Sequence, residues 1–445
     1  MSSLRCVWVT FSLLALASAS PITAQTEPTR CSHCKGGWAS VFTVSEIVAI
    51  NLLVVGFHRY HYKDDEYGIS APSGQRLGWD ASAFYINQFG HPYHGGLYYS
   101  SARAHGFSYW AGLPFTFFGS LTWETFMDPE MISANDLVAT TLGGTAFGES
   151  TYRLSTAVLQ AQTLGGGFPT GLLAFLLNPM AGVHQFVDGP VFQVRQEPVR
   201  IASRFNAGGR VTTTPKGSET TSVYELTFDY GDYFTGEKLG PFDAFEVTGR
   251  LNLPETRPVA DFHIVGVLAG GPVGGQTGNW RHVLGVFQHL DYYHPEGTQY
   301  GGQSVGAGLR SRWHLGDNLN LRLSTDLNWM IAGAASSEFY SARIPRDYDH
   351  GTGAGLKLSA ALGNSSFAFG KIAYSGHFLH TVDGPSDNHL LHFVDVTTYV
   401  PLFRGVGAGI AYQWYSRRSD YPAANFPDIH RSESEVRAYV GVAFN

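Results

Sequence analysis

Two histidines and two carboxylates in the first half of the chain are the residues whose types and spacing could do chemistry. His91 and His94 lie three positions apart in HPYHGG, so both can share one face of a helix. A histidine pair at this spacing can supply half of a metal site, which Glu124 or Asp136 could complete. His94 could instead act as a general base oriented by a carboxylate. The third interpretation is structural, with the histidines capping amides or hydrogen-bonding inside an apolar module.

Other polar residues in the same region are expected to pair with one another. Buried polar groups are costly unless they are hydrogen-bonded, so their presence in apolar segments predicts contact, although not reaction. Arg103 is expected to form an ion pair with Glu124 or Asp136, while Glu149 and Arg153 stand at ion-pair spacing on one helix. No G-x-S-x-G motif marks a nucleophilic serine. The expected polar network is Asn87, Arg103, Ser120, Asn135, Glu149 and Arg153, and neither a metal site nor a cofactor is predicted.

The segment that must position these residues, about 42 to 195, has the periodicity of helices. Pro92 suits a first helical turn and predicts a helix of about 14 residues. Ser133, with Asp136 three residues later, forms a capping-box pattern. The run Gly144–Gly148 is a G-x-x-x-G that lets another backbone approach closely. Each long apolar stretch carries prolines or ionisable groups, so we expect a compact helical module without a clean membrane-spanning helix.

From residue 198 to the end, apolar and polar side chains alternate with a period of two. In VYELTFDYG, Leu226 and Phe228 share one face, and Glu225 and Asp229 share the other. About twelve such segments follow at intervals of roughly 20 residues, which accommodates the 9 to 11 residues of a tilted membrane-crossing strand plus a turn. Aromatic residues near strand ends, an even strand count and a preceding export signal favour a transmembrane barrel over a soluble β-domain.

The predicted fold class is therefore α+β. An N-terminal apolar helical module, 42–195, precedes an antiparallel transmembrane β-barrel of twelve strands, 198–445. The helices would lie in the barrel lumen or at its periplasmic mouth, and the sequence does not choose between the two. Charges on the polar strand faces would solvate and stiffen the lumen, or else set its selectivity. The expected lumen residues are Glu225, Asp229, Glu246, Arg250, Arg322, Asp326, Glu435 and Arg437.

Composition argues against a nucleic-acid partner and indicates export. The 445 residues carry a formal net charge of −7 and no basic stripe for phosphates, while charged residues make up only 15%. Residues 1–24 have the layout of a cleaved signal peptide, and their apolar run is too short to span a membrane. In the polar tail that follows, 25–41, Cys31 and Cys34 are expected to form a local disulfide, with a metal half-site that includes His33 as the alternative.

The run from Asn87 to Leu154 contains HPYHGGLYYSSARAHG, GSLTWE, ANDLVATTLGG and GESTYRLS in that order. These four motifs resemble a bacterial domain-of-unknown-function family, number 3943, across the helical module at about residues 80–195. The stretch from Thr125 to Asp128 departs from the family pattern, in which a second aromatic and an acidic residue are expected. The resemblance implies a cell-envelope protein without an established activity, so it assigns no catalytic residue.

Three functional hypotheses follow. We favour an integral protein of the bacterial outer membrane, surrounded by outer-membrane lipid, whose helical module plugs or braces the barrel in transport or envelope structure. An envelope hydrolase acting on lipid or glycan, with His91, His94, Glu124 and Asp136 in a pocket, is the second. A periplasmic adaptor that docks an envelope protein partner is the third. An open polar lumen would favour the first, convergence on an accessible cleft the second, and a large exposed apolar patch the third.

Overall fold

A computed structural model describes most of the chain from residue 37 onward. The described residues are 37–63, 66–69, 77–129, 131–163, 168–188, 199–214, 217–255, 257–274, 278–294, 298–316, 318–339, 346–364, 368–403, 405–422 and 426–444. The predicted signal peptide and the Cys31–Cys34 disulfide lie outside them. The chain divides into two compact units, Met1–Val199 and Arg200–Asn445, and each is described by itself.

The described part of the first unit is helical. Its α-helices are α1 Trp38–Phe57, α2 His91–Ala104, α3 Tyr109–Phe126, α4 Ala134–Val138, α5 Gly144–Thr163, α6 Phe168–Leu177 and α7 Pro179–Asp188. Three π-helical turns adjoin them: His58–Tyr62 continues α1, Ile86–Gly90 leads into α2, and Ala139–Gly143 joins α4 to α5.

Helix boundaries follow local chemistry. α2 has 14 residues with Pro92 in its first turn, and Gly106 follows it at φ 83°, a conformation that glycine adopts without strain. The Ser108 side chain accepts a hydrogen bond from the Ala111 amide at the start of α3. Ser133 accepts one from the Asp136 amide at the start of α4, which is the contact that a capping pattern predicts.

The helix α2 lies at the centre of this unit. It contacts α1, α3, α5 and α7, and its Tyr98, Tyr99 and Ala102 are fully buried. Helix α1 begins at Trp38, inside the segment predicted as tail. By length and composition, Trp38–Tyr62 could cross a membrane, contrary to the expectation of no such helix. That expectation rests on Glu46 and Asn51, the polar residues that lie within this apolar helix.

The second unit is a closed barrel of twelve antiparallel strands, as predicted. The strands are β1 Ile201–Thr214, β2 Gly217–Tyr230, β3 Phe245–Leu253, β4 Val259–Val273, β5 Trp280–Tyr293, β6 Tyr300–His314, β7 Asn320–Ser336, β8 Tyr348–Gly363, β9 Ala368–Asp383, β10 Asn388–Phe403, β11 Val406–Asp420 and β12 Ile429–Phe444. Each strand pairs with its neighbours in sequence. β1 closes the barrel by pairing with β12, with Val211 opposite Val436, so no edge strand remains.

Strand alternation gives this barrel an apolar outside and a polar inside. Outward side chains at mid-strand are apolar and exposed, including Leu327 at 65%, Ile410 at 58% and Val440 at 55%. Inward neighbours such as Arg250 and Glu435 are buried and paired. This is the inverse of a water-soluble barrel and the arrangement of transmembrane barrels of the bacterial outer-membrane type.

Candidate functional site

Close backbone packing between α2 and α5 brings the polar residues of the helical unit together. Gly95 and Gly96 of the HPYHGG motif face Gly144 and Gly148 of the predicted G-x-x-x-G. A Cβ atom on Gly95 would lie 1.9 Å from the Thr140 carbonyl oxygen, and one on Gly144 would lie 2.5 Å from the Gly95 Cα. Larger residues cannot occupy these positions without shifting backbone. The glycines therefore set the distance across which His91 reaches the turn before α5.

His91 lies at the first position of α2 and faces two residues across that contact. Its Nδ1 is 3.1 Å from Thr140 Oγ1, and its Nε2 is 3.4 Å from Asp136 Oδ1. Ligand-type atoms of His91, Glu124 and Asp136 all lie within 4.8 Å of one another, and all three side chains are buried. Thr140, Ser133 and Asn135 are hydrogen-bonded to these three residues, and Asp80 and Asn87 join them through Asn135. We call the eight residues together the His91 cluster.

Asp80 is the ionised carboxylate of the His91 cluster. Burial opposes its ionisation, but nearby His91 and three hydrogen bonds outweigh burial and hold the pKa of Asp80 below its ordinary value. The amides of Asn87 and Asn135 donate to Oδ1 at 2.5 and 2.9 Å, and the Ser82 backbone N–H donates to Oδ2 at 3.2 Å. Its negative charge is therefore stabilised by nearby His91 and by these three hydrogen bonds.

Burial shifts the pKa values of Asp136 and His91, in the same cluster, toward their neutral forms. Burial, with the charges of Asp80 and Glu124 adding to it, raises the pKa of Asp136 well above its ordinary value. Burial also lowers the pKa of His91, and the attraction of Asp80 offsets this only in part. Both shifts favour the neutral form of the group concerned, so burial weakens the contact between His91 and Asp136 as an ion pair.

Glu124 and Ser120 come from one face of α3, where the sequence places Thr116, Ser120 and Glu124 four residues apart. All three are buried. Glu124 Oε2 accepts the Ser133 backbone N–H at 2.9 Å, and the Ser120 hydroxyl donates to the Asp136 carbonyl at 3.5 Å. Ser120 therefore points to backbone and not to a histidine, so it does not form a nucleophile–base pair with His91 or His94.

His94 lies outside the His91 cluster although it is only one turn away. Its Nε2 is 2.9 Å from the Tyr98 hydroxyl, whose proton goes to Asn51 Oδ1. The Asn51 amide in turn donates to the Gly119 carbonyl at 3.3 Å, which fixes the orientation of the amide. Burial, helped by His91 and His58, lowers the pKa of His94 to about 3. His94 is therefore a neutral donor in a chain of hydrogen bonds from α2 to α1 and α3.

Arg103 pairs with Glu149, not with Glu124 or Asp136 as expected. Arg103 Nε lies 2.9 Å from Glu149 Oε2, and Arg153 Nε lies 2.7 Å from Glu149 Oε1. The Tyr99 hydroxyl donates to the same carboxylate at 2.9 Å. Arg103 stands in the last turn of α2, about 18 Å along the helix from His91 at 1.5 Å per residue. Arg103 is therefore far from the carboxylates near His91 and close to α5, which explains why its partner is Glu149.

The His91 cluster offers ligand and proton-transfer groups without an accessible nucleophile among its described side chains. It combines one imidazole, two carboxyl groups near it and an ionised carboxylate behind them. Every member is buried, and most polar atoms already have partners within the cluster. Two π-helical turns supply Asn87 and Thr140, a backbone form often found at functional sites. Its geometry suits a sealed polar network that fixes how α2, α3, α4 and α5 pack.

The predicted lumen residues all lie on inward strand positions. Arg250 contacts Asp261 at 2.5 Å and also Glu435, while Arg437 contacts Glu435 at 3.2 Å. Arg310 Nη1 lies 2.8 Å from Asp326. Among the remaining predicted residues, Glu225 accepts a hydrogen bond from Asn206 at 2.9 Å, and Glu246 lies 3.9 Å from Lys371. In the strand register, Asp229 is opposite Glu246, and Arg322 is opposite Arg312, so these two pairs bring like charges side by side.

Three further residues, which no sequence motif connects, also converge in the helical unit. Glu46 of α1, His105 after α2 and His184 of α7 place ligand-type atoms within 4.8 Å of one another. The available signal was Glu46 itself, a lone carboxylate in an apolar helix. Its partners could not be found by spacing, because each lies on a different element.

A known family profile matches part of the helical unit. Residues 76–180 match the family profile described as Domain of unknown function (DUF3943). Among curated proteins, none is significantly similar to the chain.

Similar solved structures include outer-membrane proteins. The NanC porin shares 10% identity at a TM-score of 0.27 and matches 54% of this chain and 99% of its own. The channel DcaP of Acinetobacter baumannii shares 5% identity at a TM-score of 0.22, and the match covers 56% of this chain and 97% of DcaP. An anion-selective porin from Comamonas acidovorans shares 7% identity at a TM-score of 0.20, and the match covers 55% of this chain and 100% of the porin. Such values transfer no function. The chain thus joins a DUF3943 match in its helical unit to a twelve-stranded transmembrane barrel.

Proposed function

We propose that this protein is an outer-membrane barrel that passes small polar solutes across the bacterial outer membrane. The observation that carries the proposal is the distribution of charge across the barrel wall. Inward strand positions hold charged pairs such as Arg250–Asp261 and Lys357–Asp291, while outward mid-strand positions are apolar. A polar path of this kind lowers the cost of moving a hydrophilic solute through the membrane.

Solvent access to the lumen is supported by the pair Lys371 and Glu246. Both lie on inward strand positions, yet their side chains remain 37% and 46% exposed, and their charged atoms are 3.9 Å apart. Most other inward cations contact a carboxylate more closely, as Arg310 does with Asp326 at 2.8 Å. Because the charges largely balance, we expect weak selectivity between anions and cations.

An apolar and aromatic cluster narrows the same lumen. Tyr293, Tyr300, Phe393 and Tyr415 are inward and buried, with the Phe393 ring 4.9 Å from those of Tyr293 and Tyr415. Met330, Leu379 and Leu391 pack with them. We therefore expect a small conductance that is set by this constriction, and not by the full diameter of a twelve-stranded barrel.

Charge reversal at Lys371 tests the proposal. The purified full-length protein is inserted into planar lipid bilayers, and conductance and reversal potential are measured across a potassium chloride gradient. We expect Lys371→Glu to shift the reversal potential toward potassium selectivity. Arg418→Glu is the matched control, because Arg418 lies at an outward, exposed position near a strand end. Wild type without conductance, or equal shifts in both variants, would overturn the proposal.

Contact with lipid is the role we propose for the outer faces of the helical unit. Leu53 is 73% exposed on α1, and Trp38 and Trp110 are 65% and 57% exposed. Exposed apolar surface of this extent marks a contact site. Its mixture of aliphatic side chains with tryptophan and tyrosine is typical of helices at membrane interfaces.

A fluorescent probe at residue 53 tests this contact. The probe is attached through Leu53→Cys or, as control, through Glu66→Cys, in a background in which Cys6, Cys31 and Cys34 are serine. In liposomes, we expect brominated lipid to quench the probe at 53 and leave that at 66 unchanged. The alternative is that the probe at residue 53 is not quenched in liposomes and that its emission spectrum shifts only in native envelopes. That result would contradict lipid contact and assign this face to an envelope protein partner instead.

A further inference from the structure

Glu46, His105 and His184 form a three-residue cluster at the opposite end of α2 from His91, which we call the His105 cluster. His184 Nε2 lies 2.9 Å from Glu46 Oε1, and His105 Nε2 lies 3.6 Å from the same oxygen. The two imidazole rings stand nearly perpendicular with centroids 4.8 Å apart. Both histidines thus direct the same ring atom toward one carboxylate oxygen.

Hydrogen bonds at the other ring nitrogen fix the tautomer of His105. Its Nδ1 lies 2.9 Å from the Ser101 carbonyl oxygen, which can only accept. It also lies 3.1 Å from Thr43 Oγ1, whose own proton goes to the Ala39 carbonyl at 2.9 Å. Nδ1 therefore carries the hydrogen. In the neutral ring, Nε2 then presents a lone pair toward Glu46, which also offers only lone pairs.

This arrangement is the one that metal-binding histidines adopt. A ligating imidazole usually donates its distal N–H to a backbone carbonyl or carboxylate, which orients the ring. The carboxylate is oriented in the same way, because the Ser101 hydroxyl donates to Glu46 Oε2 and leaves Oε1 for the histidines. A cation between Glu46 Oε1 and the two Nε2 atoms would satisfy all three.

Burial and ligand type indicate which ion would bind. The side chains of His105 and His184 are 4% and 9% exposed, whereas that of Glu46 is 26% exposed, so solvent reaches the carboxylate side. Two imidazoles and one carboxylate suit zinc and other divalent first-row transition metals, and three protein ligands leave a position for water. The His91 cluster is less suitable, since Glu124 Oε2 already accepts a backbone N–H and the cluster is buried throughout.

We propose that Glu46, His105 and His184 bind one divalent first-row transition metal ion, with zinc as the representative ion and water at the remaining position. The site is independent of solute passage through the barrel. It would also tie α1, the end of α2 and α7 together through a single ion.

Metal binding by the full-length protein tests the proposal. Protein without a polyhistidine tag, in which Cys6, Cys31 and Cys34 are serine so that thiolates cannot contribute, is stripped with a chelator in detergent. It is then titrated with zinc by calorimetry and with cobalt by visible absorption. We expect one ion per chain in wild type, and loss of that binding in His184→Gln and Glu46→Gln. Ser101→Ala keeps the ligands and should weaken binding by about 10–100-fold.

Matched variants separate this site from other histidines. His61→Gln, at an exposed histidine of the same unit, should bind as wild type does. Wild type that takes up neither zinc nor cobalt overturns the proposal without reference to any variant. It is also overturned if binding persists in His184→Gln and Glu46→Gln but is lost in Glu124→Gln, since the ion would then lie in the His91 cluster.

Discussion

Arg103 Nε lies 2.9 Å from Glu149 Oε2, and both side chains are buried. The same carboxylate also contacts Arg153 at 2.7 Å, so one negative charge serves two guanidinium groups. Burial opposes ionisation, but the two arginines and the Tyr99 hydrogen bond hold the pKa of Glu149 below its ordinary value. Arg103, Glu149 and Arg153 thus hold α2 and α5 together by charge, whereas the glycines at the contact allow the two backbones to pack closely.

Glu149→Gln should destabilise the helical unit strongly. The substitution keeps the size of the side chain but leaves two buried guanidinium groups without a counter-charge, at a cost of about 3–5 kcal/mol. The loss of helical circular dichroism during chemical denaturation of the full-length protein measures this. Lys63→Gln removes an exposed charge from the same unit and should change the free energy of unfolding by less than about 0.5 kcal/mol. Similar effects for both variants would contradict the assignment.

Gly95→Ala should separate α2 from α5. A Cβ at this position would lie 1.9 Å from the Thr140 carbonyl oxygen, and backbone cannot yield as a flexible side chain can. We expect a loss of about 1–3 kcal/mol or more, measured by the same denaturation. In contrast, a Cβ on Gly56 of α1 meets nothing within 4 Å, so Gly56→Ala should stabilise the helix by about 0.4–1 kcal/mol. Equal effects would mean that the close packing of α2 on α5 is wrong.

The alternating pattern made the barrel predictable from sequence. Lipid on one side and polar lumen on the other force each strand to repeat its character every second residue, as in Glu225, Leu226 and Thr227. Closure pairs every strand with its chain neighbours, so strand order required no further information. The helix at His91–Ala104 was equally predictable, because Pro92 marks its start by local chemistry alone.

Side-chain partners in the helical unit could not be predicted in the same way. Helical periodicity places a residue on a face, but it does not say which other helix that face meets. Arg103 therefore had several carboxylates to choose from, and the choice of Glu149 depends on how α2 crosses α5. The His105 cluster could not be predicted for the same reason, since Glu46 and His184 lie on helices that meet only in the folded chain.

Acid should destabilise the helical unit through His94. Burial lowers the pKa of His94 in the folded protein to about 3, while an unfolded histidine titrates near 6.5. The stability it contributes is complete above pH 6.5 and is lost as pH falls toward 3, because only the unfolded chain takes up the proton. The slope is about 1.4 kcal/mol per pH unit, or roughly 2 kcal/mol between pH 6.5 and 5.

His94→Gln isolates this contribution. Glutamine can still donate to the Tyr98 hydroxyl but does not titrate, so the difference in unfolding free energy between pH 7 and pH 5 should shrink by roughly 2 kcal/mol. His61→Gln, at an exposed position, should leave that difference as in wild type. An unchanged pH dependence in His94→Gln would show that His94 is not buried in a neutral form.

Leu327→Arg tests whether the outer wall of the barrel faces lipid. Leu327 is 65% exposed at the middle of β7, opposite Leu356 of β8, so its side chain points away from the lumen. In water, an arginine at such an exposed position would be nearly neutral for stability. At the bilayer midplane, it costs about 2–4 kcal/mol, because the guanidinium must be desolvated or reach for the interface. Ser218→Arg, near the exposed polar end of β2, should cost about 0–1 kcal/mol.

Reversible folding from urea into lipid vesicles, followed by heat-modifiable migration on a gel, measures both variants. Equal folding of the two would mean that this wall lies in water, and the transmembrane assignment of the barrel would have to be abandoned.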